Sequence, residues 1–468
     1  MSTPRVVILG GGPAGVGGAY YLSRERTARV TLVEQKEVVG GNAGSFETFG
    51  QRVDFGSHRL HHATDPALLA DLRALLRDDL IDRPRNGRIR LRDSWVRFPL
   101  NPVDLVLRLD PAFALGAGRD MLLRVLGRSN GDEGDSFASV LLGSLGPTIC
   151  NGFYFPYARK IWGRPPEELA AVQAKRRVSA GTGAKLMRRM LAPRAKRNFY
   201  YPRRGFGQIS EALATAASAA GAELLLGWRV TRLERSEETG TWAIGIERAG
   251  EQRTLEADHV WSTLPIPLAV RMVHPPAPPP VLEATRGISY RAMTLVYVQL
   301  GVDRLGDVDA YYFPEESFTA TRISEPKNYS GTAEPAGSTT LCAEMPCSVD
   351  DATWHATPEE LGERVLADLR RAGLQPPGPP LAVEVRRLAQ AYPIYDRDYE
   401  GPFGVLDAWS ESLPGFLTYG RQGLFAHDNT HHALAMASAA AECLGPDGFD
   451  AARWAGYRDI FRTHVVED

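Results

Sequence analysis

The chain has 468 residues, 44% of them hydrophobic and 24% charged, with 54 Lys and Arg against 56 Asp and Glu. At roughly 150 residues per domain this length suffices for about three domains, and the composition excludes a disordered chain, a fibre or a small disulfide scaffold. The net charge of −2 provides no overall positive field, so nucleic acid is not an expected partner.

The cysteines and the apolar stretches indicate the cellular location of the protein. The four cysteines show neither a C-x-x-C pair nor a metal-ligand spacing, so we interpret them as thiols of a cytoplasmic protein. Apolar stretches stay below the ~18 residues of a membrane span. Glycines interrupt the N-terminal apolar run where that of a signal peptide would be continuous. The sequence therefore predicts neither a membrane span nor a targeting segment.

The first 34 residues switch from a strand pattern to a helix pattern and back. An apolar run at residues 5–9 predicts a buried strand, residues 16–26 predict a helix, and residues 28–34 predict a second strand. This is the order of a strand-helix-strand unit.

Three glycines and one acid in this unit occupy the positions that a dinucleotide site requires. Gly10, Gly12 and Gly15 fit G-x-G-x-x-G between strand and helix, and Glu34 ends the second strand. The first glycine makes the turn, the second lets a pyrophosphate approach the helix N-terminus, and the third allows close packing, while the acid accepts hydrogen bonds from a ribose. A purely structural turn is the alternative, which the surrounding pattern disfavours.

A second glycine-rich stretch indicates which dinucleotide is bound. Residues 39–45 read VGGNAGS and follow directly after the second strand, so free backbone amides around Gly41 and Asn42 can contact a longer cofactor. This favours FAD over NAD. The acid at Glu34 also disfavours a ribose 2′-phosphate, because two anions would face each other.

The rest of the chain alternates between helix and strand patterns. We expect helices at residues 68–77, over much of 101–195, at 211–220 and from about 429, and strands near 222–234, 240–250, 259–265, 290–312 and 338–344. This order predicts an α/β fold: a Rossmann-type FAD-binding domain of the glutathione-reductase type, with a helical insertion and an antiparallel-sheet substrate domain. The expected divisions are 1–66, 200–270 and 405–468 for the FAD-binding domain, 100–199 for the helical domain, and 67–99 with 271–404 for the sheet domain.

One segment is strongly basic although the chain is nearly neutral as a whole. Residues 175–204 carry eleven Lys and Arg, Arg176 among them, and no acid. Such a segment is either a solvated helix face or a local site for an anion. Arginine forks bind diphosphates, whereas a cationic amine would be repelled, so an anionic substrate is favoured over an amine.

Several motifs resemble the FAD-containing amine oxidase and protoporphyrinogen oxidase superfamily, and within it the UDP-galactopyranose mutases. Residues 55–61 (FGSHRLH) resemble the mutases' histidine loop beside the flavin, and residues 157–163 (YARKIWG) resemble their Y-x-x-K-x-W-G segment. Residues 318–328, 391–396 and 419–421 resemble, in the same order, a T-R-I-x-E stretch, a Y-Y-P-V-N-D stretch and the C-terminal motif that closes over FAD.

Three positions depart from the mutase pattern. Ala391 and Tyr395 replace a tyrosine and an asparagine, and His431 stands where relatives have an acid. These departures leave room for a relative of the mutases that works on another substrate.

Together with the glycine motifs, the resemblance implies a set of site residues. The expected catalytic residues are His58, His61, Arg322 and Tyr392. The expected cofactor contacts are Gly10, Gly12, Gly15, Glu34, Gly41, Asn42, Ser57, Val230, Gly420, Arg421 and Asn429. The expected substrate contacts are Tyr157, Trp162, Arg176, Tyr290, Arg322, Asn328, Tyr392 and Asp396.

Trp162 and the histidine clusters each have an alternative interpretation. Trp162 is explained equally well as a core residue and as a platform for a base. Histidine clusters bind metals as well as cofactors, but residues 58–62 and 430–432 lack carboxylates at ligand spacing. We therefore predict no metal site and assign His58 and His61 to the flavin.

The predicted function is the interconversion of the pyranose and furanose forms of a nucleotide diphosphate sugar. In the reaction that the resemblance implies, N5 of reduced FAD is the nucleophile, and the diphosphate leaves and returns. NADH or NADPH is a possible reductant. The alternative is an oxidoreductase that passes hydride from a small-molecule substrate to oxidised flavin, since one fold supports both chemistries.

Overall fold

The computed structural model describes residues 3–98, 108, 110–125, 134–177 and 198–466. The helices within these residues are Pro13–Arg24, Pro66–Leu76, Pro111–Val125, Phe137–Leu145, Pro147–Ile149, Phe155–Trp162, Ala171–Arg177, Gln208–Ala219, Ile266–Met272, Pro279–Ala284, Pro326–Ser330, Ala352–His355, Pro358–Arg371, Glu400–Ser412, Gly420–Gly423, Thr430–Glu442 and Ala451–Phe461. None of these described helices has the length and apolar composition needed to cross a membrane.

A five-stranded parallel sheet contains both strands of the predicted strand-helix-strand unit. In spatial order its strands are Glu223–Leu226, Arg29–Glu34, Arg5–Leu9, His259–Ser262 and Phe416–Thr418. Val6 and Ile8 of the central strand pack with helices on one face. Val7 and Leu9 pack against a second sheet on the other face. Because both faces are buried, this strand is a continuous apolar run rather than an alternating one.

The two faces of the parallel sheet are covered differently. On one face the first helix, Pro13–Arg24, contacts both Gln208–Ala219 and Thr430–Glu442. The other face is covered by a four-stranded sheet with the order Glu251–Ala257, Trp242–Arg248, Arg229–Arg235 and Val273–His274. The predicted Rossmann-type domain is thereby confirmed.

A seven-stranded sheet forms the other large layer. In spatial order its strands are Ala382–Ile394, Ser289–Leu300, Thr339–Cys347, Arg322–Ser324, Ala310–Tyr312, Gly87–Leu91 and Ser94–Phe98. The pairs are antiparallel except that Ala310–Tyr312 and Gly87–Leu91 run parallel. The helix Pro358–Arg371 packs Leu361 and Val365 into the core beside this sheet. A predominantly antiparallel second sheet is thus confirmed.

Smaller elements complete the described chain. The remaining strands form a three-stranded sheet of Leu60–His61, Asn198–Pro202 and Leu80–Pro84, and two hairpins, Ser45–Thr48 with Gln51–Asp54 and Leu444–Gly445 with Gly448–Phe449. Residues 134–177 supply several short helices around an apolar cluster that includes Phe137 and Trp162. Most of the basic segment, residues 178–197, lies outside the described residues.

Capping residues explain where two predicted helices begin. The first helix starts at Pro13, three residues before the predicted start, because proline favours the first helical position and follows the N-cap Gly12. The helix predicted from residue 68 starts at Pro66, because the side chain of Asp65 accepts hydrogen bonds from amides of the first turn.

Candidate functional site

The glycine turn after the first strand has the geometry of a pyrophosphate site. Gly10 has φ of +98° and donates its N–H to the carbonyl of Val33 at 2.8 Å. A Cβ on Gly15 would lie 1.9 Å from the carbonyl oxygen of Gly10, so only glycine fits there. A Cβ on Gly12 would meet nothing within 4 Å. Open space therefore lies at the N-terminus of the first helix, where free amides favour an anion.

The second glycine loop lies directly on the first. Gly40 donates its N–H to the carbonyl of Gly11 at 2.7 Å, and a Cβ on Gly41 would lie 3.1 Å from Cα of Gly12. The side chain of Asn42 reaches across to the carbonyl of Gln390, at 3.2 Å. The two loops that the sequence assigns to the cofactor are thus brought together.

Glu34 is fixed beside these loops. Its carboxylate is buried and accepts hydrogen bonds from the N–H of Gly11 at 2.7 Å and of Lys36 at 2.8 Å. Each oxygen keeps a further lone pair for a ribose hydroxyl. Val230 lies in the apolar cluster that also contains Val33, next to Glu34 in the second strand. These residues fit the nucleoside end of a dinucleotide.

A buried acid that the sequence did not reveal directly precedes the histidine loop. Asp54 accepts hydrogen bonds from Ser45 Oγ at 2.6 Å, Tyr201 Oη at 2.5 Å and Phe206 N at 2.9 Å. Burial nevertheless raises the pKa of Asp54 above its ordinary value. The loop is therefore anchored to the FAD-binding part by hydrogen bonds around one carboxyl group.

His58 is turned towards its own backbone. Nε2 lies 2.9 Å from the carbonyl of Phe55, which places the proton on Nε2 and leaves Nδ1 as an acceptor. The ring stacks on Phe206 at 5.3 Å between centroids. Burial lowers the pKa of His58, although the nearby Asp54 opposes this. We correct the predicted role accordingly: Nε2 is held by the loop and only Nδ1 is left to face a ligand.

Arg322 and Glu344 form a buried ion pair beside this loop. Arg322 Nε and Nη2 donate to the two carboxylate oxygens of Glu344 at 2.9 and 2.8 Å. Nη2 also donates to the carbonyl of Ser57 at 3.1 Å, and Glu344 accepts the N–H of Ser57 at 2.8 Å. Burial opposes the charge of Arg322, but the facing carboxylate raises the pKa of Arg322 well above its ordinary value. Arg322 donates no Nη1 hydrogen bond to the described residues, so Nη1 is the nitrogen left for a substrate.

Tyr392 lies near two arginines. The guanidinium of Arg421 is 5.1 Å from the centroid of the Tyr392 ring, and the phenol is near enough to Arg322 to favour the charged form of that arginine. His427 also stacks on the phenol ring, with centroids 5.3 Å apart. Arg421 is itself held by the carbonyl of Ala391 at 3.0 Å. Tyr392 thus lies close to both Arg421 and Arg322.

Tyr290 brings an unpartnered hydroxyl to the same region. Its hydroxyl is buried and has no hydrogen-bond partner among the described residues. Burial raises the pKa of Tyr290, while Arg421 opposes this, and the ring packs edge-on against Phe425 at 5.2 Å. Buried hydroxyls are normally satisfied, so a bound ligand is a natural partner for this one.

The final predicted cofactor contacts, Gly420 and Asn429, lie at the starts of two helices. Gly420, with φ of +75°, lies so close to the first helix that a Cβ would be 2.5 Å from Cβ of Ala14. Asn429 caps the helix Thr430–Glu442, and His432 Nδ1 accepts the N–H of Asn429 at 3.2 Å. The start of the helix Gly420–Gly423 therefore lies next to the glycine turn.

His61 lies near the histidine that replaces an acid in relatives. Its Nδ1 accepts the N–H of Ala63 at 3.0 Å, and its ring centroid is 6.4 Å from that of His431. Burial, together with neighbouring histidines, lowers the pKa of His431 to about 3. His431 is therefore a neutral imidazole at neutral pH, where an acid would be negative.

Three predicted substrate contacts are structural instead. Trp162 is 2% exposed and packs against Phe137 with centroids 5.4 Å apart, so it cannot stack on a base. Asn328 is buried and its amide donates to the carbonyls of Gly306 and Val308 at 3.0 and 2.9 Å.

Arg176 is the third of these residues. It donates from Nη1 to Tyr395 Oη at 3.2 Å and lies 3.7 Å from the Asp428 carboxylate. An acid distant in sequence thus compensates this one charge of the basic segment. Of the other predicted contacts, Asp396 pairs with Arg164 at 3.3 Å, and Tyr157 stacks on Phe153 at 5.8 Å.

Lys160 explains the lysine of the Y-x-x-K-x-W-G segment. Its Nζ donates to the carbonyls of Phe313, Glu315 and Ala320 at 2.7, 3.0 and 2.9 Å. Burial lowers the pKa of Lys160 to about 7. The lysine thus ties a helix to the loop that leads into Arg322.

The comparisons with known proteins identify the family. Residues 13–435 match the family model of flavin containing amine oxidoreductases. The chain belongs to this family. FAD is therefore its cofactor, and the chain is a flavoenzyme of this superfamily.

The relatives found by sequence carry different names. The chain is 31% identical over 306 residues to phytoene dehydrogenase of Streptomyces griseus, covering 58% of this chain and 57% of the relative. It is 28% identical over 327 residues to protoporphyrinogen oxidase of Homo sapiens, covering 62% and 66%. The chain thus spans less than two thirds of the length of these relatives.

Solved structures agree with the fold. A reduced UDP-galactopyranose mutase matches with a TM-score of 0.79 and 20% identity, covering 94% of each chain. Cyclohexylamine oxidase from Brevibacterium oxydans matches with a TM-score of 0.66 and 17% identity, covering 98% and 100%. At these identities the likeness shows the fold of flavin amine oxidoreductases.

Gly12→Ala tests the pyrophosphate site without disturbing the fold. Gly12 has φ of −70° and open space around its Cβ position, so we expect the melting temperature of the apoprotein to stay within about 2 °C of the parent. The added methyl group occupies the space at the helix N-terminus, so FAD affinity should fall at least about tenfold. Fluorescence titration with FAD measures this. Unchanged affinity would show that the pyrophosphate lies elsewhere.

Glu344→Gln tests the buried ion pair. The variant leaves the Arg322 charge buried without its carboxylate, which should lower the free energy of unfolding by about 3–5 kcal/mol. Urea unfolding of the FAD-loaded protein measures the change. Glu316→Gln is the matched control, because it breaks an exposed pair with Arg159 and should change stability little. Equal small effects of both variants would contradict the role of Glu344.

Proposed function

We propose that the chain interconverts the pyranose and furanose forms of a nucleotide diphosphate sugar, using reduced FAD. The observation that carries the proposal is the nearness of Tyr392 to two guanidinium groups, those of Arg421 and Arg322. Two guanidinium groups and a phenol directed at one region suit the oxygens of a diphosphate. FAD would supply the nucleophilic nitrogen when it is bound and reduced.

Each side chain of the candidate site has a separate role in this proposal. Nη1 of Arg322 and the hydroxyl of Tyr392 hold the departing diphosphate close to the sugar, so that it can return. The ion pair with Glu344 fixes Arg322 in one orientation before the substrate arrives. The unpartnered hydroxyl of Tyr290 is available to donate a hydrogen bond to the ligand.

Two further features belong to this proposal. NADH or NADPH would keep the flavin reduced between turnovers. The described cysteines are all buried free thiols, which supports a reducing compartment such as the cytoplasm.

A second candidate is an oxidoreductase that passes hydride from its substrate to the flavin. Two observations favour it: Glu344 compensates the charge of Arg322, and the curated relatives above are named as a dehydrogenase and an oxidase. Hydride transfer does not require an anion site. It does require oxidised flavin, which separates the two candidates.

Product analysis under two redox states distinguishes them. With UDP-galactopyranose and related nucleotide sugars, we expect furanose product only after reduction by dithionite or NAD(P)H. Turnover restricted to oxidised flavin, with peroxide released, would instead establish the oxidoreductase.

Tyr392→Phe tests the binding role in the same assay. Losing one hydrogen bond to a charged ligand should raise KM for the nucleotide sugar about tenfold, with the flavin absorption spectrum unchanged. Tyr457→Phe is the control, since its exposed hydroxyl contacts Glu442 at the C-terminal end of the helix Thr430–Glu442. An unchanged KM in Tyr392→Phe would show that the diphosphate lies elsewhere.

A further inference from the structure

A buried carboxylate stands just before the helix Thr430–Glu442 and has few partners. The side chain of Asp428 is 0% exposed. Among the described residues, its one hydrogen-bond donor is His464, whose Nδ1 lies 3.1 Å from Oδ2. Oδ1 accepts no hydrogen bond from the described chain. Arg176 and His432 lie 3.7 and 3.8 Å from Oδ1, beyond hydrogen-bond distance.

The charge of this carboxylate persists in spite of its burial. Burial opposes ionisation, but His464, His432 and Arg176 together lower the pKa of Asp428 below its ordinary value. A buried ionised group without a hydrogen bond is costly. His464 therefore satisfies a group that would otherwise have to move or become protonated.

Further contacts hold the segment around His464 against the region of Asp428. The N–H of Val466 donates to the carbonyl of Arg176 at 2.8 Å. The imidazole of His464 stacks on that of His432, with centroids 4.1 Å apart and planes 14° from parallel. These contacts hold Nδ1 of His464 in line with Asp428.

Asp428 in turn adjoins the residues assigned to the cofactor and substrate. Its carbonyl accepts a hydrogen bond from Arg421 Nη1 at 3.5 Å. The preceding His427 stacks on Tyr392, and the following Asn429 caps the helix. A shift of Asp428 would therefore move a guanidinium, a phenol and a helix N-terminus together.

We propose that His464 is a positioning residue for the flavin: by donating to Asp428, it fixes residues 427–429 and the start of the following helix against the cofactor. His464 lies 34 residues beyond Thr430, where that helix starts, yet it acts on the cofactor site through one hydrogen bond.

A metal ion is the rival explanation of this cluster. Donor atoms of Asp428, His432 and His464 lie within 4.8 Å of one another, and two histidines with one carboxylate are a known metal-binding set. The rings of His432 and His464, however, are stacked and nearly parallel. The lone pairs of their nitrogens therefore lie in two separate planes and do not point at one shared position. The guanidinium of Arg176 near Asp428 also opposes a cation. Hydrogen bonding explains the geometry better.

His464→Ala tests the proposal. We expect the dissociation constant for FAD to rise about tenfold or more, the size of effect of an unsatisfied buried charge, and the visible circular dichroism of bound flavin to change. His355→Ala, which alters an exposed histidine on a distant helix, is the control and should change neither.

A double variant separates positioning from general loss of structure. Asp428→Asn added to His464→Ala removes the buried charge that lost its donor, so FAD affinity and the flavin dichroism should recover at least in large part. Zn²⁺ and EDTA are added to the parent protein to test the metal explanation. FAD affinity within twofold of the parent in His464→Ala, no recovery in the double variant, or an EDTA effect equal to that of His464→Ala would each overturn the proposal.

Discussion

The ion pair between Arg322 and Glu344 joins the two large parts of the molecule at the candidate site. Both residues belong to strands of the seven-stranded sheet, and both bond to the backbone of Ser57 in the histidine loop. That loop is anchored in the FAD-binding part through Asp54. A buried ion pair is stabilising only when its remaining hydrogen-bonding groups are satisfied, and Ser57 supplies both a donor and an acceptor. The orientation of Arg322 depends on this junction.

The charge distribution near the cofactor follows from long-range pairing. The sequence shows a basic segment with no acid inside it, which suggests an anion site. In the described part of that segment, Arg176 instead faces the carboxylate of Asp428. The arginines that do converge, Arg322 and Arg421, come from other parts of the chain. An anionic substrate stays a reasonable proposal, but it rests on these two residues and not on the basic segment.

Local signals allowed the strand-helix-strand unit of the FAD-binding fold to be predicted. The glycine turn and Glu34 are recognisable because strand, turn and helix preferences act within a few residues. The helix Ala451–Phe461 was missed because its apolar residues do not follow a helical period. The burial of Trp162 could not be predicted from the sequence, because a core tryptophan and a tryptophan that stacks on a ligand have the same local sequence.

The substrate half depends on contacts between distant strands, which no local pattern reports. Glu344 was missed although it is an acid inside an apolar strand, a combination that indicates a buried partner. Asn328 lies in a stretch that resembles a mutase motif, yet its side-chain amide donates its hydrogen bonds to backbone carbonyls. In both cases the partner of the side chain, which only the fold supplies, decides its role.

The most direct test of the account is a titration of the reduced protein that compares UDP with uridine, followed by flavin absorbance. The account predicts a saturable spectral change with UDP and with UDP-galactopyranose, and binding at least about a hundredfold weaker for uridine, which lacks the diphosphate that Arg322, Tyr392 and Arg421 would hold. Equal binding of uridine and UDP, or no spectral response to either nucleotide or sugar, would contradict it.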